Sequence, residues 1–496
     1  MSGGTFPLIM DSKAQSSSEQ VRPSLGLALV PLLVLIGLLI TNIQLFQDSA
    51  TSGPNQLALA IATSVGAVLG IWQLKVRYAV IEAQVIKSIS MSMQAILILL
   101  VVGSLIGLWI LSGVVPSLIY YGVNWVSPAW FLPATTLICA MVSLATGSSW
   151  STGGTVGIAL MGIGKAIGIP DGMIAGAIIS GSYFGDKLSP LSDTTNLAPA
   201  MAGTDLFTHV RYMLYTTVPS LIIAVLGYSV LGMSFSGSAV DLGSVEQIRT
   251  ALASNFNLTP WSLLLPLLVI ALVARKMPAL PALILGAALG GVFALVFQQD
   301  LLSRLVQGDL TLASAWKQVL EVGYGGFKIS TGVEAVDSLL SRGGMAGMLN
   351  TVWLILMAMT FGGVMEATGM LERVAQAILT LVRGTTSLVT ATIASCITIN
   401  VTAADQYLSI VVPGRMFRNA YEKAGLAPEN LSRTLEDSGT LTSVLIPWNT
   451  CGAYFAGVLG VSTFAYAPYA FLNLVNPLVA IAIAAIGYRI RKIQKN

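Results

Sequence analysis

Oxygen-bearing side chains gather at two polar, proline-containing interruptions of an otherwise apolar chain. The first reads FGDKLSPLSDTTNLAPA, from Phe184 to Ala200, and the second SVLIPWNTCGAY, from Ser443 to Tyr454. Pro190 and Pro447 should each stop a helix, because proline lacks a backbone donor and clashes with the preceding turn. A helix stopped at membrane depth frees backbone groups that only protein or a water-filled cavity can satisfy. Asp193, Thr194 and Asn196 offer a carboxylate, a hydroxyl and an amide in the first interruption; Asn449 and Thr450 offer an amide and a hydroxyl in the second. A hard monovalent cation such as sodium takes oxygen ligands of these kinds, and broken helices supply them in transporters. Asp193 and Asn449 are the expected sodium ligands, with Ser192-Asp193-Thr194 set against Trp448-Asn449-Thr450.

Further groups surround these. Gly147-Ser148-Ser149-Trp150-Ser151-Thr152-Gly153-Gly154 is rich in hydroxyls and in glycines that let the backbone approach an ion. Ser148, Ser149 and Thr152, together with Ser192, Ser438 and Thr440, are expected to support a transport path. Asp405 follows an apolar run in NVTAADQYLSI, and reads either as an ionisable group at membrane depth or as a helix-end carboxylate at the interface. Asp186 and Lys187 are adjacent and so cannot share a helix face; they pair only where the helix breaks, or Asp186 titrates. Glu366, in FGGVMEATGM, is a second candidate proton carrier or a helix-end charge, and one of Glu436 and Asp437 is expected to face the path. A carboxylate that holds a proton or a sodium ion in turn is sufficient for exchange if the empty carrier cannot change its facing. The one histidine, His209, reads as structural, and Cys139, Cys396 and Cys451 read as buried free thiols without metal-site spacing. No nucleophile–base pair, metal cluster or phosphate loop stands out, so neither an enzyme nor a cofactor is expected.

The elements that must position these groups are apolar. Of 496 residues 55% are hydrophobic and 9% charged, against about 25% charged in an ordinary soluble domain. A soluble core cannot absorb that much apolar surface, whereas lipid can. A spanning helix takes about 20 apolar residues. Candidates are 25–46, 56–75, 93–113, 128–146, 171–186, 213–235, 261–275, 278–298, 347–366, 370–383, 386–404, 431–447 and 467–488. The fold class is therefore all-α, a polytopic membrane protein of about 11–13 transmembrane helices. Between the spans, 147–169, 187–210, 405–427 and 448–464 read as re-entrant hairpins or broken helices, 76–92 as an interfacial segment, and 236–258 and 299–345 as loops with short amphipathic helices. The net charge of +3 is spread over the chain and argues for no nucleic-acid partner. Arg489, Arg491, Lys492 and Lys495 follow the last span, which places that end in the cytoplasm.

The chain also resembles itself. Lys165 in KAIGIPDGM pairs with Lys423 in KAGLAPENL, and Pro170 with Pro428, 258 positions on (423 − 165, 428 − 170). Ser180-Gly181-Ser182 meets Ser438-Gly439-Thr440 at that offset, Cys139 meets Cys396 at 257, and Ser112-Gly113 meets Thr368-Gly369 at 256. Duplicated halves with broken helices mark secondary transporters, whose sites lie where the repeats meet. The organisation expected is a lead-in (1–23), a first helix and loop (24–55), a first repeat (56–235), a linker with a connecting helix (236–277), a second repeat (278–488), inverted relative to the first, and a basic tail (489–496).

At FGDKLSPLSDTTNLAPA, preceded by ATGSSWSTGGTVGIALMGIGKAIGIPDG and echoed by EDSGTLTSVLIPWNTCGAY, the chain resembles the NhaC family of sodium/proton antiporters over about residues 60–488. The resemblance implies two inverted repeats and exchange of Na+ for H+ across the cytoplasmic membrane of a prokaryote. It also implies an alternative, a sodium- or proton-coupled carrier of a small organic acid (malate/lactate type) or amino acid. Lys165, Lys187, Arg415, Arg418 and Lys423 would serve an anionic substrate or, as the favoured reading, mark cytoplasmic helix ends. Candidate partners are Na+, H+, a small organic anion or amino acid, the lipid bilayer, and a second copy of the chain in a homodimer.

Overall fold

The computed structural model describes residues 22–46, 50, 52–123, 127–235, 242–306 and 308–493. The expected lead-in lies almost wholly outside the described residues, as does Lys495. Two helices come first, α1 (Leu25–Phe46) and α2 (Pro54–Trp72). A first series follows: α3 (Tyr78–Leu111), α4 (Val114–Gly122), α5 (Pro128–Thr146), α6 (Ser149–Thr152), α7 (Ile158–Ala166), α8 (Asp171–Leu188), α9 (Asp193–Ala202) and α10 (Leu206–Met233). The middle holds α11 (Leu242–Asn255), α12 (Leu264–Ala274), α13 (Ala279–Phe297), α14 (Gln299–Leu305), α15 (Leu312–Gly325) and α16 (Glu334–Leu340). A second series comprises α17 (Leu349–Ala367), α18 (Met370–Leu379), α19 (Thr385–Thr402), α20 (Gln406–Lys423), α21 (Pro428–Leu435), α22 (Leu441–Ser443), α23 (Thr450–Leu459), α24 (Thr463–Tyr466) and α25 (Phe471–Ile486).

Among the described residues eight helices are long and apolar enough to cross a membrane, ten if two bent pairs each make one span. Several expected spans take another form. Residues 370–383 become the ten-residue α18, which carries Glu372 and Arg373. Residues 431–447 are split by a π-helical stretch, Glu436–Thr440, between α21 and α22. The segment expected at the interface, 76–92, instead opens the 34-residue α3. No glycine or proline falls between Tyr78 and Val102, so nothing in that run stops the helix. The segments expected to be broken are largely regular: α20 is an 18-residue helix, and α6 continues through a second π-helical stretch, Gly153–Gly157, into α7. The breaks proper are short, at 147–148, 189–192, 403–405 and 444–449.

These breaks recur at one offset. Gly147 and Ala404, Gly168 and Gly425, and Gly203 and Gly460 all have positive φ, and each pair is 257 positions apart (404 − 147, 425 − 168, 460 − 203). Helix starts follow the same offset: Ser148 and Asp405 cap α6 and α20, and Ser192 and Asn449 cap the ten-residue helices α9 and α23. This corrects the register expected from sequence by one residue. Asn449 is the counterpart of Ser192, and Asp193 is the counterpart of Thr450.

The equivalent segments run in opposite directions. α8 begins beside Ala465 and Tyr469, just ahead of α25, and Lys187 near its end reaches Asn476 inside α25. α21 begins beside Arg491, just after α25, and the carbonyl of Leu441 beyond it accepts from Asn473 near the start of α25. α8 thus runs with α25, and α21–α22 run against it, as inverted repeats require. Inversion also separates Lys165 from Lys423: the first pairs with Asp171 at one end of the bundle, 2.7 Å away, and the second lies at the other. They cannot both mark cytoplasmic ends, and Lys187 marks none, being fully buried.

Ala404 holds the left-handed conformation that its counterpart Gly147 adopts without cost (φ 56° and 72°). Its carbonyl accepts from the Thr450 amide at 2.9 Å, tying the break before α20 to the start of α23. A left-handed alanine costs about 1 kcal/mol. Ala404→Gly is therefore expected to raise the thermal midpoint of the purified protein, and Ala404→Val to lower it, as read by a melting curve in detergent.

Candidate cation site

The four helix starts that follow the breaks converge. Ser148 and Ser149, Ser192 to Thr194, Asp405 to Tyr407, and Thr450 with Cys451 line one cavity of about 590 Å³. Asp186 and Thr146 complete the inner wall, and the α12–α13 turn (Lys276 to Ala279) with Met91 to Ala95 of α3 forms the rim. Each helix N-terminus carries about half a positive charge. Four together would favour an anion, but Asp186, Asp193 and Asp405 set three carboxylates against them, with Lys276 the one cationic residue among the described residues of the lining. The balance favours a cation.

Asp405 and Asp186 are both buried, and Asp186 is held by hydrogen bonds from the start of α6. Its Oδ2 accepts from the Ser149 amide at 3.0 Å and from the Ser149 hydroxyl at 2.6 Å. The Thr195 hydroxyl donates to the carbonyls of Asp186 and Lys187 at 3.1 and 3.0 Å, which ties the start of α9 to the end of α8. Asp405 uses one oxygen to cap α20, accepting from the Leu408 amide at 2.9 Å. Asp193 is exposed to the cavity, and Asn196 turns back to the carbonyls of Pro190 and Ser192. Asn449 lies behind the lining: its amide donates to Asn400 and its oxygen accepts from the Cys451 amide at 3.1 Å. Thr450, next to it, is the residue that reaches the cavity. Thr152 and Ser438 donate back within their own helices, and Glu366, near the end of α17, is not on the lining. Away from the rim, the ring of Trp150 stacks on Tyr454 with centroids 4.0 Å apart, and the Tyr454 hydroxyl donates to the Trp150 carbonyl.

Two sets of residues escaped the sequence reading. Ser443 donates to Gln406 Oε1 at 3.2 Å, and these are the counterparts of Asp186 and Ser149 (443 − 186 and 406 − 149, both 257). The corrected register would have pointed to them. Lys187 does not pair with its neighbour Asp186 but with Asp437 of the other series, both side chains fully buried. Its ammonium also donates to Asn476 Oδ1 at 2.9 Å, and Thr216 donates to Asp437 Oδ1 at 2.9 Å. Nothing local announces a partner 250 positions away. His209 is buried, with Nδ1 2.8 Å from the Ser432 hydroxyl, as a structural histidine would be. The three cysteines are buried and free.

The sequence profile of the Na+/H+ antiporter family matches residues 181–488, more than half of the chain. The chain belongs to the Na+/H+ antiporter family. It is 38% identical to the Na+/H+ antiporter NhaC of Alkalihalophilus pseudofirmus, over 95% of this chain and 98% of that one. It is 40% identical to the malate-2H+/Na+-lactate antiporter of Bacillus subtilis, over 88% and 89%. It is 36% identical to the arginine/ornithine antiporter ArcD of Halobacterium salinarum, over 94% and 93%. The relatives that this chain resembles along its length are antiporters, and the eight to ten apolar helices among the described residues of this chain make it a multi-pass membrane protein.

Proposed function

We propose that the protein exchanges Na+ for H+ across the cytoplasmic membrane of a prokaryote by alternating access. The observation that carries this reading is the cavity where broken helices of both series present Asp186, Asp193 and Asp405 beside Thr194 and Thr450. In this reading Asp193 meets the arriving ion, Asp186 holds it deeper, and the repeat units proposed at 56–235 and 278–488 rock about the site. A carboxylate that trades a proton for a sodium ion couples the two fluxes.

The same reading sets the sidedness. Lys75 and Arg77 between α2 and α3, Arg383 ahead of α19, and Arg489, Arg491 and Lys492 after α25 gather at one end of the bundle. The positive-inside rule makes that end cytoplasmic. α13 runs alongside α3 in the same direction, with Gly286 beside Leu105 and Gln298 at Ser112, so the α12–α13 turn lies beside the middle of α3 and faces the end where α3 starts. The cavity therefore opens inward, and the Trp150–Tyr454 stack lies on its outward side.

A second reading, carriage of an organic solute, is favoured by the cavity's size, which exceeds what a bare ion needs. Its charge narrows the choice to an amino acid, since three carboxylates and a rim lysine suit an ammonium group better than a dicarboxylate. Purified protein in vesicles carrying an internal pH dye decides between them. Sodium-driven proton movement without any organic solute is expected. Strict dependence on malate, lactate or an amino acid would replace the first reading by the second.

A further inference from the structure

A further carboxylate lies one layer beneath the cavity wall. Glu436 opens the π-helical stretch between α21 and α22 and is fully buried, and neither of its carboxylate oxygens has a hydrogen-bond partner among the described residues. The hydroxyls of Thr194 and Thr440 lie beside it without completing a hydrogen bond, and Asp186 and Lys187 are its nearest charged neighbours on α8. Thr440 Oγ1 is likewise buried and unpartnered. Thr194 lines the cavity, so one side chain separates this carboxylate from the space that ions reach.

The charges around it do not cancel. Lys187 is spent on Asp437 Oδ1, and Arg433, 3.7 Å from Asp437 Oδ2, lies over the ring of Tyr212 at 4.6 Å. Two cations thus face three carboxylates, Asp186, Glu436 and Asp437, and the group as a whole lacks one positive charge. A buried carboxylate without partner or countercharge is strongly unfavourable in a protein interior. The oxygens that surround the deficit come from both series: Asp186 and Thr194 from the first, Glu436 and Thr440 from the second.

We propose that Glu436 is a ligand of a deep sodium site, with Thr440, Thr194 and Asp186 as its co-ligands, into which the ion passes from the open cavity. A site shared between inverted halves changes as the halves move, so the ion bound there is enclosed from both sides. Neither Glu436 nor this deeper position is needed for the open cavity to attract cations. The inference rests on the Na+/H+ exchange reading above.

The test is equilibrium binding of radioactive sodium to the purified full-length protein, at equal ionic strength in sodium or choline chloride. Glu436→Gln, of nearly the same shape, is expected to weaken sodium binding at least tenfold, and Thr440→Ala by a smaller factor. Melting in choline reports whether each variant is folded. Should Glu436→Gln fail to fold, Glu436→Asp, which shortens the side chain by one methylene, is expected to fold and to weaken binding by several-fold. An unchanged dissociation constant in a folded Glu436 variant overturns the deep site while the exchange reading stands. Absence of sodium binding and of sodium-driven exchange in the unaltered protein overturns the exchange reading itself, and the deep site with it.

Discussion

Asp186→Asn is expected to reduce sodium-driven proton movement in vesicles by about 100-fold, equivalent to about 2.7 kcal/mol, while leaving the fold intact. The carboxamide oxygen can still accept from the Ser149 amide and hydroxyl, which now bind Oδ2 at 3.0 and 2.6 Å, so the end of α8 keeps its geometry. What the substitution removes is the charge. Asp186 is a buried carboxylate on the cavity wall, as is Asp405, which also caps α20, whereas Asp193 is exposed to the cavity. Charge in the more enclosed position interacts with an ion more strongly, because less water screens it. Asp193→Asn is accordingly expected to raise the apparent KM for sodium more than it lowers the maximal rate. If Asp186→Asn exchanges at the unaltered rate in well-folded protein, the proposed site is wrong.

Breaking the buried ion pair is expected to cost more in stability than any other single change near the site. Lys187→Met leaves Asp437 in the interior with Thr216 and with Arg433 at 3.7 Å, and Asp437→Asn leaves both Lys187 and Arg433 without a carboxylate partner. Removing one partner of a buried pair costs about 3–5 kcal/mol, whereas replacing both by apolar residues is often neutral or stabilising. The double variant Lys187→Met with Asp437→Leu should therefore recover part of the melting temperature lost by Asp437→Asn, the remainder being the cost of leaving the buried Arg433 without a carboxylate partner. It also removes one charge of each sign, so the deficit of one positive charge around Asp186 and Glu436 remains. Sodium binding by the double variant is expected to stay within about threefold of the unaltered protein, since an equal loss of both charges leaves the local Coulomb balance unchanged. A double variant that folds but no longer binds sodium would show that Lys187 takes part in binding directly.

The membrane class, the duplication and the two polar breaks are legible in the sequence because each is a local property. Apolar runs of helix length, proline at 190 and 447 and glycine at 113, 147 and 369 act on the backbone within a turn or two of where they stand. Residues such as Asp186, Asp193, Thr194, Asp405 and Thr450 could be named as candidates for the same reason: oxygen-bearing groups beside a helix break have few structural uses at membrane depth. Self-similarity located the repeats but fixed their register only to within a residue, since small apolar residues match one another by composition. Only the positive-φ positions and the caps showed that Asn449 answers to Ser192.

The rest depends on which helices pack together. That α8 and α21–α22 run opposite ways along α25 is decided by tertiary contacts, and with it which basic residues share an end of the bundle. Lys187 faces Asp437 rather than its neighbour Asp186 because successive helical residues point about 100° apart, so one lines the cavity and the other turns into the core. Glu436 looked like one of two interchangeable acids in sequence; packing paired its neighbour with two cations and left Glu436 without an ion pair among the described residues. Sequence sets which side chains carry charge, but the energy of a buried charge is set by what lies within a few ångströms, and those neighbours are hundreds of residues away along the chain.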